Sequence, residues 1–221
     1  MGSAGGGSRT FAIDGSAVGP RADLPAAGLI QDPSGNLYGT TQYGGDVSCE
    51  SNDIEGCGAV FRVNSSGGET VLYSFTGGAD GMSPSAGLLR DSDGNMYGTT
   101  VEGGTNNFGA VFELNSSGTE TVLYSFTGGA DGEYPYAGVI QDKLGNLYGT
   151  ASIGGANNGG TLFELDPSGT LTVLYTFNSK VDGRDGEDPE GDLLLSPAGN
   201  LYGVRSHGGA HQSGVVFEIV M

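Results

Sequence analysis

The chain has 221 residues, of which 44 are glycine and 36% are hydrophobic, and its 26 acidic and 8 basic residues give a net charge of −18. Such an acidic surface repels phosphate backbones and anionic membranes, so the composition argues against a nucleic-acid partner. No apolar run approaches the roughly 18 residues that a membrane helix needs, and we expect no membrane insertion.

The first residues precede the repetitive part of the sequence. MGSAGGGS (1–8) lacks the basic and apolar regions of a signal peptide and is typical of a flexible linker or tag. SRTFAI (8–13) reads as a single β-strand. We therefore treat residues 1–8 as a linker and place one folded domain at residues 9–221.

Four copies of one repeat follow, at about 22–75, 80–126, 131–177 and 187–221. Each copy contains an N-[LM]-Y-G motif and, further along, a [VL]-F-[ER]-[LVI] motif. A recurrence of the motifs about every 50 residues is typical of propeller-like repeats. The motifs are marked by Tyr38, Tyr97, Tyr148 and Tyr202, and by Phe61, Phe112, Phe163 and Phe217.

Each repeat predicts four short strands. In the second repeat they are AGLLRD (86–91), NMYGTT (95–100), GAVFEL (109–114) and ETVLYSF (120–126). All are rich in β-branched, aromatic or other large apolar residues, and they are separated by turns such as DSDGN and NSSGTE, which suit tight hairpins. No window shows a sustained 3.6-residue apolar period, so we expect almost no helix.

Together the units predict an all-β fold, a four-bladed β-propeller of four-stranded antiparallel blades. The last unit reaches only its third strand, GVVFEIVM (214–221). We expect the segment at 9–13 to complete this blade, because that arrangement joins the last blade to the first and leaves no exposed sheet edge.

The combined pattern AGLIxDxxGNLYGTTxxGG, GAVFELxxxGxETVLYSFTGGADGxxP resembles the GloVer (Gloeo_Verruco) tandem repeat of bacterial proteins. The resemblance extends from about Thr10 to Met221. It implies a propeller-like all-β fold and a secreted setting. It implies no particular activity and supplies no catalytic residues.

Cys49 and Cys57 lie in an insertion of the first unit, where the second unit has a shorter loop. Two cysteines that close a small loop, in a chain with no others, predict a disulfide formed in an oxidising compartment. Two reduced thiols are the alternative. We therefore expect a protein that is secreted or held at the cell surface.

In an up-and-down blade, the loops between the second and third strands and the loops between blades lie on one face of the ring. We call this the variable face, because it carries all of the variation among the units, including the cysteine insertion. Loops on a rigid scaffold commonly carry binding residues. The candidate ligand-binding residues are Tyr43, Glu102, Tyr134, Tyr136, Glu190, Asp192, Arg205, His207 and His211.

The fourth unit differs most from its siblings. Glu190 and Asp192 stand where the second unit has Ser85 and Gly87. Residues i and i+2 of a strand point the same way, and the first strand of a blade lies nearest the ring axis. Both carboxylates are therefore expected near the mouth of the central channel, with Arg205 in the next loop.

Three interpretations of this cluster stay open. In the first, Arg205 pairs with the carboxylates, because unpaired charges at a partly buried position are costly. In the second, the cluster is a polar pocket for a sugar or peptide, to which tyrosines contribute flat surfaces. In the third, Glu190, Asp192 and His207 perform acid–base catalysis on a glycosidic bond.

The loop VDGRDGEDPEGD (181–192) is dense in carboxylates. Hard oxygen ligands suit Ca²⁺, which makes the loop a candidate calcium site, although charge-rich loops are more often simply solvated. The candidate ligands are Asp182, Asp185, Glu187 and Asp188. We expect no other cofactor.

The sequence thus predicts a monomeric extracellular binding module, without enzymatic activity, for a carbohydrate or protein ligand at the variable face. A glycoside hydrolase or lyase-type enzyme that uses Glu190, Asp192 and His207 is one alternative. A purely structural surface-repeat protein is the other.

Overall fold

The computed structural model of the protein describes residues 21–25, 27–45, 48–51, 54–178, 189–208 and 213–221. Within these ranges every regular element is a β-strand, and no helix is present that is long and apolar enough to cross a membrane. The strands are β1 Arg21–Pro25, β2 Ile30–Gln31, β3 Leu37–Gly45, β4 Glu50–Ser51, β5 Ile54–Glu55, β6 Ala59–Val63, β7 Glu69–Ser74, β8 Leu89–Arg90, β9 Met96–Thr100, β10 Ala110–Leu114, β11 Glu120–Ser125, β12 Ile140–Gln141, β13 Leu147–Ala151, β14 Asn158–Leu165, β15 Leu171–Asn178, β16 Leu194–Leu195, β17 Leu201–Arg205 and β18 Val215–Ile219.

Each sequence repeat forms one antiparallel sheet. The second and third units have the orders β8-β9-β10-β11 and β12-β13-β14-β15, and the first unit has β1-β3-β6-β7 with β2 also beside β3. The fourth unit contains β16-β17-β18, and β4 and β5 pair within the cysteine insertion. The prediction of an all-β fold of four antiparallel sheets is confirmed. The segment at 9–13, which we expect to close the last blade, lies outside the described residues.

The inner strands are shorter than the sequence suggests. In the second unit only Leu89 and Arg90 pair with β9, whereas the sequence predicts a strand over 86–91. The residues before them contact the neighbouring unit instead, since the Ala86 carbonyl accepts a hydrogen bond from Thr40 Oγ1 at 2.7 Å. The inner segments therefore connect two units, and this contact limits how far they can pair within their own sheet.

Strand β1 is a second difference from the sequence prediction, which places no strand at Arg21–Pro25. It pairs with the end of β3 remote from β2, where Asp23 lies opposite Tyr43. The second and third units have only isolated bridges at the corresponding place, between Met82 and Glu102 and between Glu133 and Ile153. β1 is thus a longer form of a contact that the units share.

The core of every unit depends on a glycine that faces a phenylalanine. The glycine of each N-[LM]-Y-G motif lies directly opposite the phenylalanine of the third strand. A Cβ atom on Gly98 would lie only 2.6 Å from Cζ of Phe112, whose side chain is fully buried. Glycine at this position therefore makes room for the ring. The pairs are Gly39–Phe61, Gly98–Phe112, Gly149–Phe163 and Gly203–Phe217.

The phenylalanines of the second, third and fourth units also join each of these units to the one before it. The fourth strand of one unit ends near a second buried phenylalanine, whose ring packs on the third-strand ring of the next unit at an edge-to-face or tilted angle. Such aromatic pairs add about 0.5–1.5 kcal/mol each beyond the burial of their surface. The centroid distances are 5.1 Å for Phe75–Phe112, 5.3 Å for Phe126–Phe163 and 5.1 Å for Phe177–Phe217.

Buried threonine hydroxyls reinforce the three junctions between consecutive units. The residue after each core glycine donates a hydrogen bond to a carbonyl of the next unit, and this bond satisfies two buried polar groups at once. The distances are 2.7 Å for Thr40 to Ala86, 2.9 Å for Thr99 to Ala137 and 3.0 Å for Thr150 to Pro189. The fourth unit has Val204 here, which has no hydroxyl.

The hairpin turns on the opposite face from the variable loops are built by side-chain capping. Asp32 accepts hydrogen bonds from the amides of Ser34 and Asn36, from the Asn36 side chain and from the Tyr38 hydroxyl. The Asn36 side-chain bond is the largest of the influences that lower the pKa of Asp32 to about 2. This network explains why Asp, Asn and Tyr recur together at fixed spacing in the first three units.

Cys49 and Cys57 form a disulfide with their Cα atoms 5.7 Å apart. Cys57 is buried in the same hydrophobic cluster as Phe75. A Cβ atom on Gly77 would lie 2.7 Å from either sulfur atom, so the bridge also packs closely against the loop that leaves the first unit. The disulfide thereby attaches the insertion to the core.

Replacing one core glycine tests the glycine–phenylalanine pairing. Gly149→Ala places a Cβ 2.6 Å from Cζ of Phe163, and overpacking of this kind costs roughly 1–3 kcal/mol, or a melting temperature lower by roughly 3–10 °C. Gly28→Ala is the matched control, since a Cβ there meets nothing within 4 Å. Adding Phe163→Leu to Gly149→Ala should recover part of the loss. Equal melting temperatures for the Gly28 and Gly149 variants would contradict the pairing.

Removing the disulfide tests its contribution to stability. The double variant Cys49→Ala/Cys57→Ala should unfold at lower denaturant concentration, because a cross-link of this loop length is worth roughly 2–3 kcal/mol through the unfolded chain. Treating the unchanged protein with a phosphine reductant should produce a comparable loss. A reductant that fully reduces both thiols and leaves the unfolding curve unchanged would disprove this contribution.

Candidate functional site

The inner segments of all four units line one central cavity of about 340 Å³. Its wall is mostly apolar, made of leucine, isoleucine and valine side chains, and its polar part comes from backbone and a single carboxylate. The lining residues are Gly28, Leu29, Ile30, Gly87, Leu88, Leu89, Gly138, Val139, Ile140, Asp192 and Leu193.

Glycine allows the inner segments to approach one another around this cavity. A Cβ on Gly138 would lie 2.9 Å from the carbonyl oxygen of Gly87, which is tighter than ordinary contact. A Cβ on Gly87 would lie 3.7 Å from the carbonyl oxygen of Gly28, which is an ordinary contact distance. Three of the four units therefore present bare backbone at the same level of the cavity.

Asp192 breaks this pattern, because it takes the position of these glycines in the fourth unit. Its Oδ1 accepts a hydrogen bond of 3.1 Å from the backbone N–H of Gly138. The side chain is otherwise solvent-exposed, which leaves carboxylate lone pairs directed to the solvent side of the cavity. The arrangement can accept hydrogen bonds from a hydroxylated or amine-bearing molecule at the cavity.

Tyr136 and Glu190 lie two residues before Gly138 and Asp192, the residues that line the cavity. Tyr136 is 40% exposed, and Glu190 is exposed as well. Both residues precede the segments that line the cavity, and neither lines it itself.

Arg205 lies elsewhere. Its side chain is only 6% exposed, and its guanidinium carbon is 4.1 Å from the centre of the Phe177 ring and 5.7 Å from that of Phe217. It lines a separate cavity of about 240 Å³ at the outer side of the fourth unit, beside the exposed Val216. The structure therefore places Arg205 and Asp192 in different cavities, although their sequence positions group them.

The other candidates are distributed over the loops. Tyr43 pairs with Asp23 across β1 and β3, and Glu102 pairs with Met82. The ring of Tyr134 packs on the ring of Phe108, with centroids 6.1 Å apart. The backbone of Tyr134 has a φ of 56°, and its carbonyl oxygen accepts a hydrogen bond from Ser152 Oγ at 2.8 Å. His207 is exposed, and its Nδ1 lies 2.9 Å from Ser206 Oγ.

The candidate calcium ligands Asp182, Asp185, Glu187 and Asp188, together with His211, lie outside the described residues. Within the described residues no group of three or more His, Cys, Asp or Glu side chains is placed to hold a metal ion. The calcium site stays a prediction.

The sequence comparison missed a second polar cluster, at the junction of the first two units. Tyr73, Asp80 and Glu120 converge there from β7, from the loop that follows it and from β11. One signal could have revealed it, since Glu120 corresponds to Leu171 in the third unit.

Several solved structures share this fold. A luciferin-regenerating enzyme superposes with a TM-score of 0.55 at 14% identity, over 88% of this chain and 60% of that one. A protein of unknown function from Dyadobacter fermentans gives 0.52 at 16% identity, over 92% of this chain and 69% of that one. These neighbours support a propeller-like architecture and, at such identities, nothing about activity. The present chain spans only 60% of the length of the first of them.

An α-L-arabinofuranosidase from Clostridium thermocellum also aligns, over 90% of this chain and 67% of that one at 12% identity. Its TM-score of 0.48 is too low to support an inference. No curated protein sequence matches the chain significantly.

The family resemblance read from the repeat motif is confirmed by a match to a sequence family. The match covers residues 25–221 and therefore all four units. Its extent leaves only the N-terminal 24 residues outside it. The chain belongs to the Gloeobacter/Verrucomicrobia repeat family.

Proposed function

We propose that this chain is an extracellular, non-enzymatic binding module that holds a carbohydrate at the variable face of a closed four-bladed propeller. The observation that carries the proposal is Asp192, a single carboxylate at a cavity that three other units line with glycine. The disulfide between Cys49 and Cys57 supports the extracellular setting, because such bonds persist in oxidising compartments.

The cavity suits a sugar in size and chemistry. Its volume of about 340 Å³ lies within the range of small-molecule sites. Asp192 offers acceptors for hydroxyl groups, while the exposed ring of Tyr136 and the apolar wall offer contacts for the C–H faces of a pyranose. The net charge of −18 disfavours phosphorylated or strongly anionic ligands.

We infer closure of the ring from the sheet edge formed by β18. Among the described residues β18 has no partner on its outer side, whereas β6, β10 and β14 each pair with a fourth strand. Its Val216 is 77% exposed. An exposed sheet edge with an apolar side chain favours pairing with a further strand. We therefore expect another strand to pair with β18.

The N-terminal sequence is suited to supply that strand. FAIDGSAVG (11–19) aligns without gaps with YSFTGGADG (73–81), which ends the first unit. In this alignment Ile13 takes the place of Phe75, the residue that packs on the third-strand phenylalanine of the next unit. Ile13 should therefore pack on Phe61, which is fully buried.

Carbohydrate binding is tested with a glycan array, followed by calorimetry with the best ligand. Asp192→Asn and Tyr136→Ala should each weaken binding by about tenfold or more, since each removes a direct contact. Ser85→Ala, at the position equivalent to Tyr136 in the second unit, is the control and should bind normally. Melting temperatures should stay within a few degrees of the unchanged protein.

Other outcomes would contradict this function. A silent array excludes the carbohydrate, and a protein ligand or a purely structural role then takes its place. Depolymerisation of a glycan that is abolished by Asp192→Asn shows an enzyme of the glycoside hydrolase or lyase type. Normal binding by Asp192→Asn excludes the central cavity as the site.

Ring closure is tested by deleting the N-terminal segment. Removal of residues 1–13 should lower the melting temperature by roughly 10 °C or more, because it exposes the β18 edge and one apolar junction. Removal of residues 1–8 alone is the control and should have little effect. A synthetic peptide of residues 7–20 should restore stability to the longer deletion. Equal stability of the two deletions contradicts closure by this segment.

A further inference from the structure

Two carboxylates compete for one hydroxyl group at the junction of the first and second units. The Tyr73 hydroxyl donates to Asp80 Oδ2 at 3.0 Å and lies 3.5 Å from Glu120 Oε2. A phenol has a single hydrogen to donate, so the shorter contact leaves Glu120 weakly satisfied. Glu120 Oε1 is also buried and has no hydrogen-bond partner.

Asp80 is at the same time the residue that organises the loop TGGADG (76–81). Its carboxylate accepts hydrogen bonds from Thr76 N at 2.8 Å and from Thr76 Oγ1 at 2.6 Å. The loop is closed by a hydrogen bond of 3.1 Å from Gly77 N to the Gly81 carbonyl. A displacement of the Asp80 carboxylate would therefore weaken the hydrogen bonds that hold this loop.

An open cavity of about 620 Å³ adjoins the cluster. Among its lining residues Asp80 and Glu120 are the charged ones, and no lysine or arginine lines it. On the other side of Glu120, β10 contributes the buried Leu114 as its cross-strand partner. The titratable groups that act on Glu120 are thus Asp80 and Tyr73, with Tyr124 further along the cavity wall.

The junction of the second and third units provides a natural comparison. Its loop at 127–132 has the same sequence, TGGADG, and Asp131 accepts hydrogen bonds from Tyr124 Oη at 2.9 Å and from Thr127 N at 2.8 Å. Leu171 stands there in place of Glu120 and packs in one cluster with Tyr124. The two junctions share the aspartate, the tyrosine and the loop, and they differ in the second carboxylate.

The surroundings of Glu120 disfavour its charged form. Burial, followed by the negative charge of Asp80, raises the pKa of Glu120 to about 7, and the hydrogen bond from Tyr73 lowers it by less. Tyr73 stays neutral throughout this range, because burial and the nearby carboxylates raise its pKa well above the usual value. The charge that changes near neutral pH is therefore that of Glu120.

The direction of the effect on stability follows from the linkage between protonation and folding. The pKa of Glu120 in the folded protein lies above its ordinary value of 4.5. The stabilisation is then complete below about pH 4.5 and is lost as the pH rises through about 7, since the unfolded chain releases this proton earlier. Ionised Glu120 lies beside ionised Asp80 with no cation among the residues lining the cavity.

We propose that Glu120, Asp80 and Tyr73 form a proton-dependent latch that holds the loop at 76–81 when Glu120 is protonated and loosens it when Glu120 ionises. The protonated carboxyl can donate a hydrogen bond towards its neighbours, whereas the carboxylate repels Asp80. The loop belongs to the variable face, so the latch makes one part of that face respond to pH. The identical loop at 127–132 does not respond, because Leu171 cannot ionise.

Hydrogen exchange in the intact protein compares the two identical loops within one molecule. After correction for the intrinsic rate, amides at 76–81 should exchange several-fold faster at pH 8 than at pH 5.5, and amides at 127–132 should not. Glu120→Gln should remove the difference. Equal behaviour of the two loops in the unchanged protein overturns the latch.

Thermal unfolding supplies a second, independent measurement. Glu120→Gln should raise the melting temperature at pH 8 by about 3 °C or more and change it little at pH 5. Leu171→Glu should introduce a similar loss above pH 7 at the second junction. A Glu120→Gln effect that is the same at both pH values indicates a pH-independent packing role and contradicts the proposal.

If either variant folds poorly, the titration of Glu120 can be followed directly in the unchanged protein. Carbon-detected NMR of the glutamate carboxyls should show one resonance with a midpoint near pH 7. A midpoint of all glutamates below about pH 5 disproves the latch without any substitution.

Discussion

The close contact between a glycine and a phenylalanine, repeated once in every unit, is the constraint on which this structure depends. The glycine removes a side chain from the second strand so that a whole aromatic ring can occupy the space between strands. Because the same ring also meets the last phenylalanine of the preceding unit, one residue serves both the interior of a sheet and the junction to its neighbour. Consecutive units therefore cannot be packed independently.

This core separates the two faces of the molecule. On one face, aspartate and asparagine side chains cap nearly identical hairpins, and sequence variation is small. On the other face, the loops carry the disulfide, the Tyr134 backbone strain and the inserted hairpin of β4 and β5. Around the axis, short inner strands and glycines bring the four units close together, so that a single substitution such as Asp192 changes the chemistry of a shared cavity.

Much of the architecture could be predicted from the sequence, because the repeat supplies four aligned copies of each element. The second, third and fourth strands of the second unit begin and end within one residue of the expected positions. The inner strands were overestimated, since their carbonyls bond to the neighbouring unit, as Ala86 does with Thr40. Period and composition describe one sheet well, and they carry little information about which unit lies alongside it.

The candidate site was only partly predictable for the same reason. Asp192 was expected near the axis on the assumption of a strand that includes it, whereas β16 begins only at Leu194. Arg205 was grouped with the carboxylates by sequence position, yet its sibling positions Thr41, Thr100 and Ala151 are buried, and the guanidinium lies on aromatic rings. The partnership of Glu120 with Tyr73 spans 47 residues and two units, which no local pattern reveals.

The space around Gly28 has a consequence for how such a protein can change. The axial position of the third unit is closed to side chains by the Gly87 carbonyl, whereas the corresponding position of the first unit has nothing within 4 Å of a Cβ. One axial position thus has room for a side chain, while the equivalent position of the fourth unit already holds Asp192. New ligand chemistry could be introduced there, by natural drift or by design, one side chain at a time and without rebuilding the core.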